Sequence, residues 1–273
     1  NRWWVLAFII LTVIATNRFA TVQQVIAVAP ENLTKAPIIS LPLIGDLYLT
    51  NTEVAMVIMD LVILAIALVV RNNAKENTLI ARGFTGAMEM LIELLYNLAQ
   101  TTAGKWVKKI FPWFASIMIV VLLANLLKLL PGFESIGFAE EVQQGGYTAV
   151  SLGGNWLNIT APAVAEGGWV VVPFLRGLST DLNFTLALAL ISVIMTQVIG
   201  VQANGLDYFT KFFNVKTIFS RPLFGVIDLF TSLLEAISEF AKIISFTFRL
   251  FGNMFAGMVL MAIVTSMVPV FAP

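Results

Sequence analysis

The chain has 273 residues, 59% of them hydrophobic and 12% charged, with a mean hydropathy of +0.90. Soluble domains usually carry about 25% charged residues, so this is a polytopic membrane protein, and its zero net charge gives no case for nucleic acid as a partner. The absence of cysteine excludes disulfides and thiolate metal sites, and the absence of histidine removes the usual proton shuttle and the commonest metal ligand, so neither metal nor cofactor is expected.

The chain opens on an apolar run, Trp3 to Thr16, with Arg2 before it and Asn17-Arg18 after it. A membrane span takes about 20 residues. We therefore extend the run to residues 3–20 as a retained first helix with interfacial tryptophans, in preference to a signal-peptide core cleaved near Ala27-Val28-Ala29. Residues 21–53 hold Pro30, Pro37, Pro42 and Gly45 and read as a loop. Residues 54–70 form a span interrupted by Asp60. For that carboxylate two readings stand, contact with other helices or a part in ion transfer.

The character changes over residues 71–109, which carry Arg71, Lys75, Arg82, Lys105, Lys108 and Lys109. Within them Ala87, Met88, Met90, Leu91, Ile92, Leu94, Leu95 and Leu98 recur at helical spacing, opposite Glu89, Glu93 and Asn97. The pattern predicts an interfacial amphipathic helix over 84–109 rather than a span. A second span covers 111–130, with Lys128 near its far end read as snorkelling to the surface. The stretch 133–179, rich in glycine and proline, is too long for a simple connection and is expected to fold over the membrane surface. A third span covers 180–200, followed by a polar connection with Lys211, Lys216 and Arg221. The loops 21–53 and 131–179 together hold only Lys35 and Arg176 among basic residues, so the positive-inside rule places 71–110 and 200–221 in the cytoplasm. No internal repeat or inverted symmetry is visible, which weakens a secondary-transporter reading.

Residues 222–268 contain no proline after Pro222 and read as helix throughout. One straight helix of that length would be roughly 70 Å long, against a hydrocarbon core of about 30 Å. It is thus steeply tilted, nearly flat, or broken, with Gly252 and Gly257 as candidate bend points. From Ile243 to Pro273 the only charge is Arg249. An arginine at membrane depth costs about 3 kcal/mol on insertion scales, and no acidic residue stands three or four positions away to offset it. Steps of three and four back from Arg249 land on Ser245, Lys242, Glu239, Ser238, Glu235, Ser232, Thr231 and Asp228. Steps forward land on Gly252, Asn253, Ala256 and Gly257. A polar half-face therefore leads up to the arginine and a small-residue face, open to close helix approach, follows it. So ordered a stripe argues against an arginine that merely snorkels, and its counter-charge is expected from another helix or another chain.

Three segments carry a family resemblance. Phe248-Arg249-Leu250-Phe251-Gly252-Asn253-Met254-Phe255-Ala256-Gly257 resembles the signature of subunit a of F-type ATP synthases, of the form LRLFGNMYAG. Asn125-Leu126-Leu127-Lys128-Leu129-Leu130-Pro131 is similar to the family's NLxxLLP segment, and Ser179-Thr180-Asp181-Leu182-Asn183-Phe184-Thr185-Leu186-Ala187-Leu188-Ala189 to its ADLNxTLALA segment. The likeness covers about residues 50 to 268 and implies an all-α polytopic membrane domain spanning the whole chain, 1–273, beside a ring of c subunits. It further implies b-type peripheral stalk subunits and the lipid bilayer as partners, a bacterial plasma membrane as location, and no catalysis by this chain alone. In that family a proton enters by one half-channel, neutralises a ring carboxylate, rides the ring and leaves by a second half-channel.

Arg249 would be the essential barrier between the two. Glu235, Ser238, Glu239, Lys242 and Ser245 would line the inner path, and Asn253, Asn125 and Asp181 the outer one. Gly252, Ala256 and Gly257 would pack against the ring. Two departures stand out. Met258 takes a place where the family often has Glu or His, and the sequence stops at Pro273, where one more membrane helix is expected. The competing reading is a stand-alone ion transporter or channel in which Arg249 and Glu235 or Glu239 form a gating pair; a non-conducting anchor would leave the polar stripe unexplained.

Overall fold

The computed structural model describes residues 29–34, 36–42, 45–74, 83–130, 133–134, 136–143, 146–153, 156–163, 167–212 and 222–267. The helix expected over 3–20, together with Lys216, Arg221 and Pro269, lies outside the described residues. Helix α1 spans Asn51–Ala74, α2 Phe84–Ala103, α3 Val107–Lys128, α4 Leu182–Asn204 and α5 Pro222–Met267. The stretches Asn51–Asn73, Phe84–Lys128, Leu182–Asn204 and Ile227–Val264 are each long and apolar enough to cross a membrane. Their outward faces are apolar, with Leu61, Leu64, Met90, Ile194, Phe240 and Leu260 all exposed. The solvent for such a surface is lipid rather than water.

By compactness the chain divides into two units, Asn1–Met59 with Ala124–Asp181 and Gly252–Pro273, and Asp60–Leu123 with Leu182–Phe251. In the first, strands β1 (Ile39–Leu41) and β2 (Gly45–Leu47) form an antiparallel hairpin. The loop before it is tied to the start of α1: Asn51 N–H donates to the Glu31 carbonyl at 3.1 Å, and the Asn51 side chain accepts from Glu31 N–H at 3.2 Å. The helix start itself is a reciprocal capping box. Glu53 N–H donates to Thr50 Oγ1 at 3.3 Å and Thr50 N–H to Glu53 Oε2 at 3.1 Å, satisfying two amides that the first turn leaves free. Helix α1 thus begins at Asn51, three residues before the expected span.

The connection 133–179 carries strands β3 (Gly137–Glu141), β4 (Tyr147–Gly153), β5 (Trp156–Ala163) and β6 (Trp169–Pro173). They form an antiparallel sheet of order β3-β6-β4-β5, which the sequence reading left without elements. The run Val170-Val171-Val172 in β6 is β-branched and suits a paired strand. Where β6 meets β4 only Tyr147 and Trp169 pair, and there Gly146 and Gly168 approach so closely that a Cβ on Gly146 would lie 2.5 Å from the Gly168 carbonyl carbon. A short 3₁₀ turn, Leu178–Thr180, then leads into α4 with Leu178, Ser179, Thr180 and Asp181 all buried.

In the second unit, α2 stops at Gly104, whose φ of +51° suits glycine alone. A 3₁₀ turn, Gly104–Trp106, separates it from α3. The amphipathic pattern expected as one helix to Lys109 is therefore two elements. Tyr96 of α2 and Phe111 of α3 meet edge-to-face across the turn, ring centroids 5.2 Å apart. At its far end α4 closes on Asn204 and Gly205, the latter at φ +65°, and a 3₁₀ stretch, Gly205–Lys211, follows. Helix α5 begins with Pro222 at its first position, where the missing N–H costs nothing. It runs for 46 residues as a single element. Neither Gly252 nor Gly257 breaks it.

Candidate functional site

The site is built on α5, whose polar residues recur on one side because helical steps of three and four superimpose them. Arg249 is exposed. Its Nη2 lies 3.5 Å from Ser245 Oγ, one turn back, and its guanidinium carbon lies 5.8 Å from the centroid of the Phe246 ring. It takes part in none of the ion pairs formed among the described residues. Beyond it, a Cβ on Gly252 or Gly257 would meet nothing within 4 Å, and Ala256 is exposed. Among the described residues, no side chain covers the small-residue face beside these two glycines.

Two to four turns before Arg249 lies a second cluster. Glu239 is buried, at 8% relative exposure, and both its carboxylate oxygens are occupied. Oε1 accepts from Lys242 Nζ at 2.8 Å and from Lys211 Nζ at 3.1 Å; Oε2 accepts from Gln197 Nε2 at 3.1 Å. Lys211 also reaches Glu235 Oε1 at 3.1 Å. Behind Gln197, Tyr208 donates its hydroxyl to Gln197 Oε1 at 2.7 Å, and the Tyr208 ring fills the space that a side chain on Gly200 would need. Lys211 lies outside the spans. Burial pulls its proton affinity down, but the hydrogen bonds and charges of Glu239 and Glu235 outweigh that and hold its pKa above the ordinary 10.5.

Of the residues expected on the inner path, the structure brings Glu235, Glu239 and Lys242 into one network. Ser238 is exposed on the same helix, and Ser245 sits beside Arg249. Gln197, Tyr208 and Lys211 belong to that network too, and sequence reading missed them. Their signal was weak: a glutamine in an apolar span and a lysine in a polar connection. The gating pair of the competing reading is not seen among the described residues, where Glu235 and Glu239 pair with Lys211 and Lys242.

The residues expected on the outer path fall in the first unit. Asp181 is buried at 4% relative exposure and Asn253 is exposed. Asn125 is half-buried, with an Oδ1 that finds no hydrogen-bond donor among the described residues. One helical turn on, Lys128 does not snorkel. Its ammonium lies 3.8 Å from Glu134 Oε1 with the side chain only 14% exposed. The absence of a side chain at Gly177 makes room for it, since a Cβ there would sit 2.7 Å from Lys128 Cδ. Glu134 in turn accepts from Gly177 N–H at 3.1 Å, and buried Arg176 donates to the Ala29 carbonyl. Nearby Glu31 has its pKa raised, chiefly by burial, with Arg176 opposing and Glu140 reinforcing the shift. Asp60 is exposed on α1, and Met258 on α5 is half-buried.

Helices long and apolar enough to cross a membrane, with an arginine on the longest of them that joins no ion pair among the described residues, define a polytopic membrane protein whose spans are all α-helical. Residues 54–272 match the model of a family described as ATP synthase A chain, and the chain belongs to that family. It is 26% identical over 226 residues to ATP synthase subunit a 1 of Syntrophotalea carbinolica, covering 83% of this chain and 74% of that protein. It is 26% identical to ATP synthase subunit a of Sulfurihydrogenibium sp., covering 73% and 72%. It is 27% identical to the sodium ion specific ATP synthase subunit a of Propionigenium modestum, covering 78% and 60%. Membership connects the chain with ATP synthesis and ion transport at a membrane.

Proposed function

We propose that this chain is the proton-translocating stator subunit of an F-type ATP synthase, working in a bacterial plasma membrane beside a rotating ring of c subunits and held by b-type peripheral stalk subunits. The observation that carries the reading is Arg249, exposed on an apolar helix and unpaired among the described residues. An arginine remains charged at any working pH, so it serves as a fixed counter-ion and not as a proton carrier. A ring carboxylate arriving in its ionised form supplies the missing charge. As each carboxylate leaves the arginine it must take a proton, and protons cannot pass the arginine directly.

The inner half-channel runs along Glu235, Ser238, Glu239, Lys242 and Ser245, and the outer one by Asn253, Asn125 and Asp181. Gly252, Ala256 and Gly257 let the ring helices pass close, which the open space beside both glycines supports. Helix α5, about 69 Å long at 1.5 Å per residue, lies strongly tilted along the ring. The amphipathic stretch 84–109 lies at the interface, the spans cover 54–70, 111–130 and 180–200, and the whole forms one membrane domain. The chain itself catalyses no reaction. Transport draws on about 2.3 kcal/mol per charge for each 100 mV.

The test is ATP-driven acidification of inverted membrane vesicles carrying the complete complex, comparing the native chain with Arg249→Ala, with and without sodium. Loss of pumping in the variant, independent of sodium, is expected. Intact pumping in the variant would refute the reading, and pumping only of sodium would keep the architecture and change the ion.

A further inference from the structure

The two carboxylates on the polar face of α5 are not equivalent. Glu239 has both oxygens filled by three donors, two of them cationic, and its side chain is 11% exposed. Glu235, one turn earlier, is 39% exposed, and Lys211 is the sole cation paired with it among the described residues. Lys211 is common to both. It comes from the 3₁₀ stretch after α4, and two features fix that stretch on α4: the Tyr208 hydroxyl bonded to Gln197 and the Tyr208 ring seated on Gly200. Tyr208 and Phe212 also flank the ammonium, at 5.9 and 5.5 Å from their ring centroids. The lysine is therefore located by its surroundings before it meets either glutamate.

We propose that Lys211 is a positioning residue of the inner proton path: anchored on Glu239, it holds the Glu235 carboxylate at the point where protons exchange with cytoplasmic water. Glu239 then ties the 3₁₀ stretch to α5 and lines the path as the anchor of the lysine. Glu235 is the more open of the two carboxylates and the one with an oxygen left free for exchange among the described residues, and the lysine sets its place along the helix. The other titratable or charged groups on the elements that meet here are Asp207 and Tyr208 on the 3₁₀ stretch and Asp228, Lys242 and Arg249 on α5, while α4 contributes none. Lys242 pairs only with Glu239 among the described residues, so it cannot replace Lys211 at Glu235. The inference rests on the proposed inner path.

The experiment uses the complete complex in inverted vesicles and reads ATP-driven acidification in Lys211→Gln, Lys211→Arg, Glu239→Gln, Glu235→Gln and the double variant Lys211→Gln/Glu235→Gln, with Arg249→Ala alongside. Lys211→Gln is expected to slow pumping about tenfold, a loss of positioning worth about 1.4 kcal/mol. Lys211→Arg, which keeps the cation and has donors enough to reach both carboxylates, is expected to recover the rate to within about twofold. Glu239→Gln should behave like Lys211→Gln, and the double variant should be no slower than Glu235→Gln alone. A native rate in Lys211→Gln, no recovery in Lys211→Arg, or the same slowing by Lys211→Gln with and without Glu235 would each overturn the inference. Should Lys211→Gln fail to assemble with the ring, Glu239→Gln carries the test, because it removes the anchor and leaves both other side chains; a native rate there also overturns it. Arg249→Ala separates the two levels. Pumping in that variant refutes the proposed function, whereas loss there combined with native Lys211→Gln refutes the positioning role alone.

Discussion

Under the proposed function, Arg249 and Glu235 are expected to differ in how replaceable they are. Among the described residues the arginine faces no carboxylate and has no cationic side chain beside it, so Arg249→Lys is expected to lose most pumping as well. A lysine keeps a charge but can surrender its proton when desolvated, and it lacks the planar fork. Glu235→Gln is expected to slow transport less than Arg249→Ala, because Ser238 and Ser245 lie exposed along the same face; initial acidification rates of the three variants would order them. Complete loss in Glu235→Gln would instead make that carboxylate an obligatory relay. Lys211 gives a pH expectation. Its raised pKa means the folded chain binds the proton more tightly than the unfolded one, so its stabilisation is complete below the ordinary 10.5 and fades as pH rises through the raised value. The gap in thermal stability between the native complex and Lys211→Met should therefore stay constant from about pH 7 to 9. A gap that closes within that range would show that the lysine titrates there. Arg249 was legible in the sequence because a lone charge in a long apolar run has few explanations. Lys211 was not, because its partners lie 24 and 28 positions away and are found only once the chain after α4 turns back on itself.

At the scale of elements, the membrane helices were the legible part, since uninterrupted apolar stretches of this length have one stable backbone solution in lipid. Their ends were less so. The start of α1 was marked by Thr50 and Glu53, a three-residue spacing that fixes a helix N-terminus, and the apolar pattern alone overlooked it. Thr50→Ala is expected to cost about 1 kcal/mol, read as a lower unfolding temperature of the purified complex. The four-stranded sheet was hidden for a different reason. Its alternation is blurred by register shifts between Tyr147 and Thr148 and between Ser151 and Gly153, and its glycines serve close backbone contact where they had been read as loop. On α5, Gly257→Leu should leave the chain's own packing intact, because the space beside Gly257 is open. It should nevertheless prevent close approach of ring helices, so that the variant co-purifies with much less ring. Undiminished ring recovery would show that the small-residue face is not the one the ring passes.

For the whole molecule, the absence of cysteine offers a clean test of topology. The basic loops predict that a single cysteine at Asp207 is labelled by an impermeant thiol reagent only from the cytoplasmic side, and one at Gln143 only from the opposite side. The reverse pattern would invert the assignment of the two half-channels. Arg249 also bears on how such a protein is made. Under the proposed function, a chain inserted ahead of the ring would hold a bare guanidinium against lipid, at about 3 kcal/mol on insertion scales, along with the small-residue face of Gly252, Ala256 and Gly257. Such an orphan exposes a charge and a packing face that have no place in lipid, and is expected to be degraded faster than the assembled chain. A cell is therefore expected to match synthesis of this chain to the supply of assembled rings, and to degrade the surplus when the match fails.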